Sequence, residues 1–183
     1  ALSSPHLEGF KSKDIDVLLM TDPIDAFWMS QMAQFNEKKF VSISRDTYDL
    51  STIGSKETKK SKKSKAAKGT IELIKSHIED LVADVVESTS LVDSPVKLVA
   101  SEGGLDFNLE RILKAQNPEY EGTKKILEIN TSHELIKKLP KKSIEVQKAL
   151  SRVLFEQARI LDGEMPSDAQ KFSQDLIIVS LND

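Results

Sequence analysis

Two amphipathic helices around a tight break, over residues 143–181, constrain this chain more than any other feature. In Ser143 to Leu161 the apolar residues Val146, Leu150, Val153, Leu154, Ala158 and Leu161 recur at spacings of 4, 3, 1, 4 and 3, which is one stripe at helical period. Asp162-Gly163-Glu164-Met165-Pro166 stops that helix, since glycine accepts a left-handed cap and proline cannot continue a helix. Ser167 and Gln170 then match a capping box for a second helix. Phe172, Leu176 and Val179 follow at i, i+4 and i+7, flanked by Ile177, Ile178 and Leu181. Such a hairpin either docks on its own domain or pairs with a second copy as a four-helix bundle, which buries the stripe symmetrically. The dimer is the favoured expectation.

A chain of 183 residues makes one large domain or two small ones, and 39% hydrophobic with 30% charged residues is ordinary globular composition tilted toward helix. No apolar run approaches the roughly 20 residues that span a bilayer, so no membrane partner is expected. The absence of cysteine excludes a disulfide scaffold and thiolate chemistry and fits a reducing compartment. The opening Ala-Leu-Ser-Ser has no signal-peptide layout, and the chain reads as a piece of something longer.

The net charge of −3 is uneven, because residues 56–68 hold seven lysines and one glutamate and leave −9 on the remainder. That segment lies in a linker, residues 46–69, with little to bury and strong self-repulsion. A lysine run can grip phosphates or acidic surfaces, so an adaptor for nucleic acid or acidic partners is the alternative function. The acidic remainder argues against nucleic acid as a partner.

Residues 1–45 alternate helix and strand like the end of an α/β domain. A short helix over Pro5 to Lys11 follows a serine cap, and Asp16 to Met20 reads as a buried strand. Asp22-Pro23 opens a helix carrying Ile24, Phe27, Trp28, Met32 and Phe35, and Phe40 to Ser44 alternates as a half-exposed strand. Residues 70–183 form a second unit, with a helix from Thr70 bearing Ile71, Ile74, Ile78 and Leu81, and strands at Val85 to Thr89, Val96 to Ala100 and Lys125 to Asn130. An amphipathic helix covers Leu105 to Gln116, closed by Asn117-Pro118, and a short one covers His133 to Lys138. Strands separated by helices, with the longest helices last, predict an α+β fold with a mixed sheet.

No catalytic or metal constellation is present. His6, His77 and His133 have no second ligand at metal spacing and read as surface or capping residues. Gly-rich phosphate loops and nucleophile motifs are missing, and Gly103-Gly104 reads as a turn. Two apolar clusters remain as candidate contacts outside the fold, each also readable as core. The first is Leu105, Leu109 and Ile112 with Phe107 and Leu113 beside them, and the second is Phe27, Trp28, Met29 and Met32.

Several ordered segments resemble the heat-shock protein 90 chaperones of the bacterial HtpG type. They are Ser4-Pro5-His6-Leu7-Glu8-Gly9-Phe10, Asp16-Val17-Leu18-Leu19-Met20-Thr21-Asp22-Pro23-Ile24-Asp25, Leu91-Val92-Asp93-Ser94-Pro95, Ile126-Leu127-Glu128-Ile129-Asn130-Thr131-Ser132-His133 and Phe155-Glu156-Gln157-Ala158. The resemblance covers nearly the whole chain except the lysine-rich stretch. It implies the end of a middle domain (1–45), a linker (46–69) and a carboxy-terminal dimerisation domain (70–183) of a cytoplasmic, ATP-driven chaperone. The amino-terminal nucleotide domain would be missing, so ATP and Mg belong to the full-length family and this portion is expected to need no cofactor and perform no catalysis. It further implies client contacts at Phe27, Trp28 and Met32 and at Leu105, Leu109, Ile112 and Leu113. The implied dimer interface sets Val146, Leu150, Val153, Leu154, Ala158 and Leu161 against Phe172, Leu176 and Val179 of the partner. No Met-Glu-Glu-Val-Asp tail is present, so tetratricopeptide co-chaperones are not expected. Client-helix positions often Met in relatives are Leu here, and the linker is basic where many relatives are acidic.

Overall fold

The computed structural model describes residues 2–22, 24–32, 34–44, 50, 65–101, 107–117, 120 and 122–182. The linker lysines ahead of residue 65, Pro23, Gly103-Gly104, Leu105 and Pro118 lie outside them.

A three-stranded mixed sheet organises the carboxy-terminal unit. β3 (Asp84–Glu87) runs parallel to the central β5 (Ile126–Ile129), and β4 (Val96–Val99) pairs antiparallel on its other side. Helices α3 (Lys65–Ile78) and α6 (Ile144–Leu161) pack on each other and against the sheet, α3 beside β3 and α6 beside β4. Ile74, Ile78, Leu98, Leu127, Ile136 and Leu154 are almost wholly excluded from water and make the centre of one core. The three strands fall where the β-branched runs predict them, and the class is α+β.

Every residue of β4 is buried, Lys97 included. Its ammonium pairs with Glu128 at 3.3 Å, the residue directly opposite in the β4–β5 register. Glu128 also accepts the Ser88 hydroxyl at 2.7 Å, so the buried charges have partners on both sides.

The amino-terminal segment docks on this sheet through the 3₁₀ turn Pro5–Leu7 and α1 (Glu8–Lys11), which starts behind the Ser4 cap as expected. The Glu8 carboxylate accepts the N–H groups of Val92, Asp93 and Ser94 at 2.9 to 3.1 Å and the Ser94 hydroxyl. Burial pushes the Glu8 carboxyl upward, but the Ser94 hydroxyl and those three amides outweigh it and hold it below the ordinary value. Gly9 allows the close approach, since a Cβ there would stand 2.6 Å from the Ser90 carbonyl oxygen. His6 corrects the expectation of a surface histidine: it is buried, with Nε2 3.2 Å from Asp162 at the end of α6.

Two expected strands are absent. Residues 16–20 run without ladder partners among the described residues, and Leu18 is largely exposed. Residues 40–44 are irregular; the hairpin lies earlier, pairing β1 (Gln34–Phe35) with β2 (Lys38–Lys39). Asn36 and Glu37 turn it with φ of 46° and 65°, the primed turn that suits strand twist, but Asn-Glu lacks the glycine that advertises such a turn.

Helix α2 (Asp25–Gln31) begins later than Asp22, although Asp22 accepts the Ile24 N–H and Asp25 returns a bond to the Asp22 N–H. α3 begins at Lys65 rather than Thr70, because Lys-Ala-Ala-Lys is itself a good helix former. α4 (Phe107–Gln116) and α5 (Glu134–Lys138) follow expectation, the latter capped by His133. In α7 (Ala169–Leu181) the cap is Asp168, which accepts the Lys171 N–H, while Ser167 donates its N–H and hydroxyl to Glu156. The last turn of α7 stays helical as far as Leu181.

Candidate functional site

The two apolar clusters, some eighty residues apart in the chain, meet in space because α2 lies against α4. On α2, Phe27 and Trp28 are 47% and 43% exposed, with Ile24 beside them still more open. Met29 and Met32 are half-buried, which fixes the side of α2 that faces the protein. The Trp28 ring meets Phe40 at 6.2 Å between centroids, tilted by 59°, a favourable aromatic geometry that holds the indole at the surface. On α4, Ile112 and Leu113 are half-buried, and Leu109 occupies the helix one turn before them. Leu105 lies outside the described residues. Adjacent exposed aromatics with methionines beneath make a surface that offers generic apolar contact without fixed geometry.

The terminal hairpin divides its apolar residues between two faces. Val146, Leu150, Val153, Leu154 and Ala158 are covered within the single chain, against α3, the sheet and α7. Within the single chain they expose little surface. Phe172 and Val179 are half-buried, and Val179 packs on the core. Leu161 and Leu176 are 48% and 40% exposed. Ile160, Ile177 and Leu181 are exposed as well. Ile160 is a residue that sequence reasoning left out, although it stands seven residues after Val153 and so beside the α6 stripe.

A bidentate ion pair fixes α7 on α6. Arg152 Nε and Nη2 donate to the two oxygens of Asp175 at 2.6 and 2.7 Å. The Asp175 hydrogen bond holds the guanidinium above its already high ordinary range, against the opposing effect of burial. Neither residue stands out in the sequence, since charged residues at such helix positions usually face solvent.

Among the described residues no three His, Cys, Asp or Glu side chains converge as metal ligands. Among the same residues, no helix is long and apolar enough to cross a membrane.

A family model described as Hsp90 protein matches residues 1–181. A protein of Nitrobacter winogradskyi named Chaperone protein HtpG is 38% identical over 181 residues, covering 96% of this chain and 28% of the relative. Relatives of the same name from Mesorhizobium japonicum and Chlorobaculum tepidum are 39% and 38% identical, over 95% and 94% of this chain. The chain thus spans 28 to 29% of the length of these relatives.

Proposed function

The chain belongs to the Hsp90 protein family, and from that premise we propose that it is the homodimerising and client-binding portion of an ATP-dependent cytoplasmic chaperone that remodels partly folded proteins. The observation that carries the client site is the exposed Phe27 and Trp28 on α2, set against α4 with its Ile112 and Leu113. A partly folded polypeptide exposes apolar side chains in no fixed order. A surface that receives them has to supply apolar area without demanding complementary shape, and adjacent aromatics and aliphatics do so. Leu109 and Leu105 are assigned to the same proposed site.

Dimerisation is assigned to the hairpin face that the chain's own domain does not cover. Leu161, Leu176, Ile177 and Leu181 are exposed there, with Phe172 half-exposed between them. Two such hairpins packed about a two-fold axis make a four-helix bundle. Val146, Leu150, Val153, Leu154, Ala158 and Val179 then act from beneath, as the packed base that holds the paired face rigid. ATP binding and turnover, with Mg, are assigned to the remainder of the whole protein, and nothing in the proposal is routed through them.

Sedimentation equilibrium over a wide concentration range tests the dimer. The chain should self-associate, and Leu176→Glu with Ile177→Glu should leave a folded monomer. Binding of reduced, carboxymethylated α-lactalbumin, a permanently unfolded polypeptide, tests the client surface. Phe27→Ser with Trp28→Ser should weaken it at least tenfold. An intact chain that stays monomeric throughout, or a double serine variant that binds as wild type, would refute the corresponding half.

A further inference from the structure

A series of charged side chains runs from α4 to the turn between α6 and α7. Glu110 on α4 is 2% exposed, Lys125 ahead of β5 is 7% exposed and Glu156 on α6 is 5% exposed. They belong to one chain of contacts. Glu110 Oε2 stands 3.7 Å from Lys125 Nζ, which donates to Glu164 Oε1 at 2.5 Å. Glu164 Oε2 accepts Arg159 Nε at 3.0 Å, and Arg159 Nη1 reaches Glu156 at 3.4 Å. Glu156 ends the series on the N–H and hydroxyl of Ser167, just ahead of α7.

Both ends are pinned. Glu110 Oε1 accepts the Thr123 N–H at 2.8 Å. Gly122 backs it with φ +79°, and a Cβ there would lie 2.2 Å from Glu110 Oε1. At the other end Glu164 and Ser167 belong to the turn that sets the angle between α6 and α7. Burial pushes the Glu164 carboxyl upward, but Lys125, Lys114 and Arg159 outweigh it and hold the group below the ordinary glutamate value.

Removing one partner from a buried pair leaves an uncompensated charge, so such contacts persist or rearrange together. A shift of α4 that carries Glu110 with it must therefore be met by Lys125, and through Lys125 by Glu164 in the hairpin turn. We propose that this buried ionic chain couples the α2–α4 surface to the terminal hairpin, so that an unfolded polypeptide bound at α2–α4 changes the affinity of one chain for its second copy. The inference rests on the functional reading above and adds the route between its two sites.

Linkage makes it testable from both directions. The dimer dissociation constant, measured by sedimentation with and without reduced, carboxymethylated α-lactalbumin, should change about fivefold or more. The affinity for that polypeptide, compared at protein concentrations below and above the dimer transition, should change in the same sense by about the square root of that factor, because the dimer carries two such sites. Glu164→Gln keeps the size of the side chain at a partly exposed position. It should still dimerise and still bind the polypeptide, with the coupling factor reduced toward one. Lys125→Arg keeps the positive charge between the two carboxylates and should retain the factor, while thermal unfolding verifies that both variants are folded. A wild-type chain that dimerises and binds with a factor of one overturns the inference alone, as does an undiminished factor in Glu164→Gln. A wild-type chain that fails to dimerise or to bind overturns the functional reading and this inference together.

Discussion

The ion pair between the terminal helices makes an asymmetric prediction. Asp175 is 1% exposed, whereas the Arg152 side chain keeps 26% of its surface in water. Arg152→Met strands the carboxylate where water does not reach, leaving among the described residues only Lys171, 3.8 Å away and itself half-exposed. Breaking a buried pair from one side costs about 3 to 5 kcal/mol, and the residual Lys171 contact places this case near the lower limit, about 3 kcal/mol. Asp175→Asn strands only a guanidinium that already touches solvent and can still donate to the amide oxygen. Its cost is that of weakening a charged hydrogen bond to a neutral one, about 1 kcal/mol. For a chain of this size each kcal/mol lowers Tm by roughly 2 to 4 °C. The expected losses are therefore about 6 to 12 °C for Arg152→Met and about 2 to 4 °C for Asp175→Asn. Thermal unfolding followed by circular dichroism at pH 7, at one fixed concentration because self-association shifts Tm, reads both. Faster amide exchange over α7 in Arg152→Met would locate the loss in the hairpin. An Asp175→Asn variant as unstable as Arg152→Met, or an Arg152→Met loss under about 1 kcal/mol, would refute the argument that exposure on one side sets the penalty.

Glu8→Gln should destabilise the protein by about 1 kcal/mol at pH 7, since the amide oxygen accepts neutral in place of charge-assisted hydrogen bonds. Glu8 has its folded pKa lowered, so its contribution is full above the ordinary glutamate value and fades as pH falls below about 4.3 toward the folded value. Urea titrations should accordingly show the gap between variant and wild type closing under acid conditions, and a gap constant down to pH 2 would contradict the assignment. Glycine substitutions should differ in sign. Gly69→Ala, inside α3 with nothing within 4 Å of the new methyl, should raise stability by about 0.5 to 1 kcal/mol. Gly9→Ala meets the Ser90 backbone and the Leu50 side chain and should cost about 1 to 3 kcal/mol by the same urea assay.

The sheet was legible because its strands are short β-branched runs bounded by turn residues; β4 and β5 fall within those runs and β3 begins one residue ahead of its own. The hairpin was legible for a different reason, since Gly163 adopts φ +83° where the sequence asks for a left-handed stop. Legibility failed for residues 16–20 and 40–44, where a run such as Val-Leu-Leu-Met meets every local criterion for a strand. A strand also needs a neighbour, and neighbours are supplied by topology rather than by the run itself. The Ser167 cap failed similarly. Ser-x-x-Gln is a sound local signal, yet Glu156, eleven residues earlier, takes both the Ser167 N–H and hydroxyl and leaves the cap to Asp168.

The same limit explains why an amphipathic stripe announces burial without naming its partner. In α6 the stripe of Val146, Leu150, Leu154 and Ala158 faces the chain's own sheet and α3, so perfect periodicity there reports an internal core. Of the exposed apolar residues, Leu161 and Leu176 occupy periodic positions just as the buried ones do, while Ile160, Ile177 and Leu181 stand beside them, so the period alone does not separate covered from open surface. Surface available for a second copy is what remains after the first core is satisfied, a difference that depends on the packed structure. The charged series from Glu110 to Ser167 is less visible still, because each of its members is an ordinary polar residue until folding brings α4, β5 and the α6–α7 turn together. A function that joins two surfaces through such contacts is therefore readable only where the contacts themselves are.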